Sequence, residues 1–253
     1  GDHTAEVVAE VMALRGTATP DAILQRYGML GARVASRRRA RAEPAPATLR
    51  SVPGPDDVQV HDLRSPYTWF FGVEEADLSF RRFDGASSAT VTRAAFIMAD
   101  AVTVLPYDPI RDTVMLVEQF RFGPFARGEA NAWSLEPIAG RIDPLETPEA
   151  AARREALEEA RLTLATMHPV ARYYVSPGAV TEYLASYVGI ADLPPSAEGV
   201  SGLEVEAEDI RAHVIPFARL MELVASGEAA NAPLLISAQW LALNRDRLRG
   251  RGA

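Results

Sequence analysis

One acidic segment, residues 140–162 with the sequence GRIDPLETPEAAARREALEEARL, holds the residues best suited to chemistry. In a helix its glutamates share one face, because Glu158 and Glu159 follow Glu155 by three and four positions. Carboxylates at this spacing repel one another, so a positive charge must compensate them. Oxygen-rich clusters suit hard divalent cations such as Mg²⁺ or Mn²⁺. The segment therefore predicts a metal-binding helix, with a solvated surface helix as the alternative for so short a motif.

The helix that carries these glutamates is predicted to begin after Thr147, a suitable N-cap, with Pro148 at its first position. Upstream of it, Asp84 and Gly85 predict the turn of a β-hairpin. Strands interrupted by a few helices predict an α+β fold in which a mixed sheet lies between helices. Further strands are predicted in AVTVLPYDP, DTVMLVEQFR, ARYYVSPG and YLASYVGI, and helices in IPFARLMELVAS and PLLISAQWLALNRDRL.

The chain divides by composition into four segments. Apolar residues at helical spacing near the N terminus predict two helices, separated where Gly16 and Pro20 break the pattern. A proline-rich stretch without apolar periodicity predicts a linker. The predicted segments are residues 1–41 (helical), 42–57 (linker), 58–98 (β subdomain) and 99–253 (main domain).

Composition excludes several classes of function. With 253 residues, no cysteine and a net charge of −8, the chain has no disulfides or zinc–thiolate sites and is not expected to bind nucleic acid. It has no apolar run of about 18 residues, so no membrane partner is expected and the cytoplasm is the expected location. One basic run, SRRRAR at residues 36–41, is interpreted as a solvated helix end in preference to an electrostatic contact.

The fixed positions across residues 140–162 resemble the Nudix box, except that Arg161 stands where that family usually has glycine. If residue 161 has a positive φ, an arginine there costs about 1 kcal/mol. The resemblance implies that Glu155 and Glu159 bind divalent metal, with Glu158 as an additional ligand or orienting group. The backbone carbonyl of Ala139 is implied as a further metal contact.

Other positions of the box are implied to be structural. Arg154 and Glu146 are expected to pair and hold the loop against the helix, and Gly140 opens the motif. The motifs beyond the box, from about Val58 to Leu248, resemble the bacterial ADP-ribose pyrophosphatases, and Pro177 resembles their marker proline. Some longer Nudix proteins linked to tellurite resistance also resemble this arrangement.

This narrower resemblance implies a Nudix fold, an α/β/α sandwich with a mixed sheet, to which a β subdomain and a helical N-terminal extension are added. It also implies a homodimer formed through residues 58–98, which would complete an adenine site. The activity implied is metal-dependent hydrolysis of ADP-ribose to AMP and ribose 5-phosphate, with two or three Mg²⁺ or Mn²⁺ ions. The alternatives are a pyrophosphatase for a nucleotide sugar or dinucleotide, and a Nudix-like sensor that binds a nucleotide without cleaving it.

The resemblance also assigns substrate contacts. Arg121, at the end of the motif EQFR, is expected to contact the diphosphate, since a guanidinium suits bidentate phosphate binding. Phe70 and Arg93 are expected to sandwich adenine; a core aromatic role for Phe70 is the alternative, and Arg81 and Arg82 are alternatives to Arg93.

The water-activating base is expected in the loop GLEVEAEDI. Alignment with the family pattern places Glu206 at the base position, and Glu204 and Glu208 are the other candidates in that loop. Glu182 is expected near the ribose and is the reserve base.

Overall fold

The computed structural model describes residues 2–16, 18–43, 46–68, 71–201 and 209–250. The chain forms two compact units. The first comprises Gly1–Asp100, Asp143–Leu145 and Tyr174–Tyr183, and the second Ala101–Ile142, Glu146–Tyr173 and Leu184–Ala253. The boundaries predicted for the linker and the β subdomain stay a prediction.

The first unit opens with helices α1 (Asp2–Ala13), α2 (Pro20–Gln25) and α3 (Tyr27–Ala42). Pro20 begins α2 behind the N-cap Thr19, whose hydroxyl accepts a hydrogen bond from the amide of Ala22. The prediction of only two helices was wrong in this region. Arg26 leaves helical geometry, with φ −104° and ψ 1°, and so separates α2 from α3.

The basic run in α3 contacts carboxylates of its own unit, so its interpretation as a solvated helix end was wrong. Arg38 lies 3.0 Å from a carboxylate oxygen of Glu6 in α1, and Arg39 lies 2.7 Å from one of the buried Asp100. Arg37 pairs with Glu10 in α1 and, at 3.1 Å, with Glu74. The N-terminal helices are thereby tied to the rest of the first unit.

A three-stranded antiparallel sheet completes the first unit. Its strands are β1 (Val58–Thr68), β2 (Gly72–Phe80) and β3 (Val91–Ile97), in the order β1-β2-β3. The predicted turn between β2 and β3 contains Gly85 at φ 85°, a left-handed conformation that glycine adopts without steric cost.

The second unit is built on a mixed eight-stranded sheet. Its central strand β4 (Ala101–Asp108) is parallel to β9 (Tyr183–Ile190) and antiparallel to β5 (Thr113–Phe120). The path β10-β11-β5-β4-β9-β8 is supplemented by β6 on β5 and β7 on β4. The remaining strands are β6 (Trp133–Glu136), β7 (Ile138–Arg141), β8 (Met167–Tyr174), β10 (Gly199–Ser201) and β11 (Ile210–Pro216).

Helices cover both faces of this sheet, because alternate residues of its strands are buried in two separate cores. Helix α5 (Pro148–Ala160) contributes Ala152 and Ala156 to one core, which contains Val102. Helices α6 (Phe217–Ser226) and α7 (Ala232–Leu248) pack into the other core, which contains Leu105. The short α4 (Phe122–Arg127) follows β5. This layered arrangement confirms the predicted α+β sandwich.

None of the helices in the described part of the chain is both long enough and apolar enough to cross a membrane.

Candidate active site

The acidic helix α5 begins and ends with well-formed caps. The hydroxyl of Thr147 accepts a hydrogen bond from the amide of Ala150 at 3.2 Å, and Pro148 occupies the first helical position, both as predicted. At the C-terminal end the amides of Arg161 and Leu162 donate to carbonyls of the last turn. Arg161 has φ 54°, so the side chain that replaces the family's glycine lies in the left-handed region.

Glu155 is packed directly against strand β7. A Cβ atom added at Gly140 would lie 1.8 Å from Oε1 of Glu155, closer than any real contact. Because Gly140 pairs with the core residue Val102 of β4, its missing side chain faces the layer that contains α5. The glycine therefore provides the space that the Glu155 side chain fills.

Glu159 lies against the neighbouring residue of the same strand. Its side chain is buried, with 4% of the residue exposed, and the amide of Ala139 donates to Oε2 at 3.4 Å. Two carboxylates one helical turn apart thus meet the backbone of β7 at consecutive residues. Glu158, between them in sequence, is more exposed, at 36% of its side chain.

Arg154 supplies positive charge to these carboxylates. Its guanidinium donates to Glu146 at 3.0 and 3.1 Å, the pairing expected from the sequence. It also donates to Glu155 at 2.7 Å and to Glu158 at 3.0 Å. The hydrogen bond to Glu146, then the charge of Glu155 and the hydrogen bonds to Glu155 and Glu158, raise the pKa of Arg154 above its ordinary value. Arg154 therefore compensates the charges of carboxylates in both the loop and the helix. Its guanidinium also donates a hydrogen bond to the carbonyl of Arg141, which ties Arg154 to β7.

These residues fit a divalent metal by their chemistry. Glu155 and Glu159 supply carboxylate oxygens beside the backbone of Ala139 and Gly140, and such oxygen donors suit Mg²⁺ or Mn²⁺. Among the described residues, however, no three side chains of the kinds that ligate metal already converge on one point. Arg154 donates to one oxygen each of Glu155 and Glu158.

Arg121 directly follows β5 and is held by a buried acid. Its guanidinium makes hydrogen bonds of 2.7, 3.1 and 3.2 Å with Glu136, whose side chain is only 6% exposed. The Arg121 side chain itself is 44% exposed. The pair fixes the orientation of a cation whose outer surface is open to solvent.

The other predicted site residues lie in the first unit or outside the described part of the chain. Phe70 and Glu206 lie outside the described residues. Arg93 is exposed on β3, where it donates to the Thr92 carbonyl. Glu182, half-buried before β9, and Pro177, exposed in the turn that precedes it, belong to the first unit.

Sequence reasoning missed two polar pairs. Glu136 was not singled out, although an acid inside the apolar strand motif SLEPIAG needs a buried partner. The second pair joins Nε2 of His213 on β11 to the carboxylate of Glu118 on β5, at 2.8 Å. Only the register of these antiparallel strands brings the two residues together.

Comparison with known proteins identifies the family. The NUDIX domain family matches residues 98–236, more than half of the chain. The ADP-ribose pyrophosphatase of Escherichia coli strain K12 is 36% identical over 208 residues, which cover 82% of this chain and 99% of that protein. The chain therefore belongs to the Nudix family. It is a pyrophosphohydrolase of that family, whose members use divalent metal ions.

Other relatives broaden the comparison. The ADP-ribose pyrophosphatase of Haemophilus influenzae is 33% identical over 195 residues, 76% of this chain and 89% of that protein. A GDP-mannose pyrophosphatase of Salmonella arizonae is 32% identical over 149 residues, 59% of this chain and 76% of that protein. The crystal structure of an ADP compounds hydrolase has a TM-score of 0.57 and 21% identity, covering 78% of this chain and 97% of that one. This last similarity concerns the fold.

Proposed function

We propose that the protein hydrolyses ADP-ribose to AMP and ribose 5-phosphate. The observation that supports this most is the placement of Glu155 and Glu159 on the backbone of residues 139–140 in a chain 36% identical to an ADP-ribose pyrophosphatase. In the reaction, a water oxygen forms a bond to one phosphorus and the bridging P–O bond breaks. The proton of the water passes to a base. The displaced phosphate group leaves as part of AMP or of ribose 5-phosphate.

Glu155 and Glu159, with Glu158 and the Ala139 carbonyl, would hold two or three Mg²⁺ or Mn²⁺ ions. Bound divalent ions screen the diphosphate charge and lower the pKa of the attacking water. Arg121, whose side chain is 44% exposed, would hold the diphosphate. Glu206 would accept the proton of the water, and Glu182 would contact the ribose. Phe70 and Arg93 would hold adenine.

A homodimer formed through residues 58–98 belongs to the same proposal. Strand β1 supports it, because Val58, Val60 and Leu63 are each more than half exposed on an edge strand of the small sheet. Light scattering across the assay concentrations tests it. A mass of two chains is expected, and a fully active single chain would exclude the dimer as a requirement.

A nucleotide sugar is the second candidate substrate. The 32% identity to a GDP-mannose pyrophosphatase over 149 residues favours it over a dinucleotide. The sensor alternative is disfavoured because the box glutamates are all present.

One assay separates these candidates. Purified protein is incubated with ADP-ribose, nucleotide sugars and dinucleotides, and a phosphatase that acts only on the products reports turnover as free phosphate. ADP-ribose is expected to give the highest kcat/KM, with no turnover in chelator and recovery on adding Mg²⁺ or Mn²⁺. Full activity in chelator would overturn the mechanism, and binding without turnover on the whole panel would favour the sensor.

A further inference from the structure

Gln119 is a buried polar residue that has no role in the reaction as proposed so far. It lies on β5, two positions before Arg121, and only 7% of the residue is exposed. Among the described residues, the side-chain nitrogen Nε2 of Gln119 is buried and has no hydrogen-bond partner. Buried donors are nearly always paired in folded proteins, because an unpaired donor loses its contacts with water and gains none. Gln119 is therefore a candidate for contact with a ligand.

Strand alternation places the Gln119 side chain on the face of the sheet that α5 covers. Successive side chains of a strand point to opposite faces, so residues two apart share a face. Met115 and Val117 of β5 lie in the core that contains the apolar residues of α5. Val114 and Leu116, at the intervening positions, lie in the core formed with α6 and α7. Gln119 follows Val117 by two positions and therefore faces the layer of α5.

The glutamates proposed to bind metal belong to the same layer. Glu155 of α5 packs on Gly140, whose partner residue in β4 lies in the core beneath α5. Glu136 also faces this layer, because it pairs across the strands with Val117, and directly paired side chains lie on the same side of a sheet. The unpaired amide of Gln119 and the metal glutamates are therefore on one face of the sheet.

Arg121 is the next residue of this face beyond Gln119. Its backbone is extended, with φ −125° and ψ 128°, so the alternation of side chains continues past the end of β5. The hydrogen bond of 2.7 Å from its guanidinium to Glu136 agrees with this placement. Arg121 is the residue proposed above to hold the diphosphate. A diphosphate at Arg121 would therefore lie beside the amide of Gln119.

The chemistry of the unpaired group selects the ligand atom. A carboxamide nitrogen only donates hydrogen bonds, so its partner must be an acceptor, and phosphate oxygens are strong acceptors. No hydrogen bond holds Nε2 of Gln119, so rotation about the terminal side-chain bond can direct the amide toward a ligand oxygen. A donor in a buried position acts strongly on charge because little water screens it.

We infer that Gln119 is a further catalytic residue, whose amide donates a hydrogen bond to a nonbridging oxygen of the diphosphate beside Arg121. The inference rests on the proposed function and adds a substrate contact to it. In the transition state of phosphoryl transfer, charge is spread over the nonbridging oxygens. A donor already placed beside them stabilises that charge, and the folded protein without substrate carries the unpaired amide as a cost in stability.

The first test measures activity and stability of Gln119→Met, which has a side chain of similar length without the donor. We expect kcat/KM for ADP-ribose to fall by about a hundredfold. The midpoint of urea denaturation should rise, because the variant no longer buries an unpaired amide. A glutamine with a purely structural role would not lose activity and gain stability together. An unchanged kcat/KM, or a lower midpoint, would overturn the inference.

Ser237→Ala is the matched control. Ser237 is fully buried on α7, and its Oγ also has no hydrogen-bond partner among the described residues. Because α7 packs on the other face of the sheet, this variant removes an unpaired buried group away from the metal glutamates. It should keep the wild-type kcat/KM. A loss of kcat/KM equal to that of Gln119→Met would overturn the assignment of a specific contact to Gln119.

Binding measured without turnover separates failure of this inference from failure of the proposed function. The α,β-methylene analogue of ADP, whose diphosphate resists hydrolysis, is titrated by calorimetry into wild type, Gln119→Met and Ser237→Ala in the presence of Mg²⁺. Gln119→Met should bind it at least about tenfold more weakly than the other two proteins. If this difference is found but ADP-ribose is not hydrolysed, the proposed reaction fails and the contact stands. If ADP-ribose is hydrolysed and the three proteins bind the analogue equally or not at all, the contact fails and the reaction stands.

Discussion

The carboxylate of Glu155 occupies the space where a side chain at Gly140 would begin, with only 1.8 Å between Oε1 and an added Cβ. Because the glutamate is on α5 and the glycine on β7, this contact aligns the acidic helix with the strand that carries Ala139. Gly140→Ala must displace the Glu155 side chain. We expect kcat to fall by about a hundredfold or more while the protein stays folded by circular dichroism.

The control for this variant is Gly28→Ala in α3, where an added Cβ meets nothing within 4 Å. Normal kcat in Gly140→Ala would show that the position of Glu155 does not matter for turnover.

Arg154 and divalent metal should substitute for each other as sources of positive charge. Arg154→Ala removes bonds to Glu146, Glu155 and Glu158, leaving like charges uncompensated. We expect the free energy of unfolding in chelator to fall by about 2–3 kcal/mol, and Mg²⁺ to restore more stability to this variant than to wild type. Urea denaturation with and without Mg²⁺ measures both effects.

Arg153→Ala is the matched control, since the partners of Arg153 in the structure are Glu149 and the Leu164 carbonyl, not the glutamates of the box. If Mg²⁺ raises the free energy of unfolding of Arg154→Ala and Arg153→Ala equally, the prediction that the metal replaces the positive charge of Arg154 is wrong.

Arg161 is predicted to cost stability because it holds a positive φ of 54°. Arg161→Gly should raise the free energy of unfolding by about 1 kcal/mol, since glycine has no Cβ to clash in the left-handed conformation. Arg161→Ala keeps the Cβ and should show no such gain. Chemical denaturation of the three proteins measures the difference, and a gain in the alanine variant would attribute the effect to the arginine side chain instead.

Asp112 should make stability depend on pH at both extremes. Its hydrogen bond from Arg245 lowers the pKa of Asp112, while burial and then Asp112 itself raise the pKa of Tyr107 to about 12. Stability from the lowered carboxyl pKa is present above an unfolded value of about 3.9 and is lost as pH falls below it. Stability from the raised phenol pKa is present below about 10 and is lost as pH rises toward 12.

Asp112→Asn tests this dependence, because asparagine tolerates the φ of 60° at this position. We expect a loss of about 2 kcal/mol at pH 7 and a flatter acid limb of the stability profile. Asp246→Asn, exposed on the same helix as Arg245, serves as the control. If the loss of stability at low pH is unchanged in Asp112→Asn, the Asp112 carboxyl is not its origin.

The assignment of the base makes the riskiest prediction. Glu206→Gln should lower kcat strongly with little change in KM or metal affinity, because a base acts in the transition state. Glu204→Gln should be nearly silent and Glu208→Gln intermediate, whereas Glu182→Gln should raise KM. Steady-state kinetics with ADP-ribose measure all four. If Glu182→Gln dominates kcat and Glu206→Gln is inert, the base is Glu182 and the metal site is unaffected.

The sequence by itself determined the features that depend on neighbouring residues. Thr147 and Pro148 define the start of α5, and the three glutamates share a face because helical geometry makes positions three and four apart neighbours. The turn at Gly85 follows from a conformation that glycine adopts without steric cost. The spacing of the Nudix box then identified the family without any coordinates, since its fixed positions fall within one short segment.

Only the tertiary structure decided which distant residues meet. The contact between Gly140 and Glu155 depends on how α5 lies on β7, and the pair of Glu118 and His213 depends on the register of β5 with β11. Arg39 reaches Asp100 only because α3 docks within its unit. Strand register and helix docking arise from side-chain packing between segments far apart in the chain, and local propensity carries no information about such pairings.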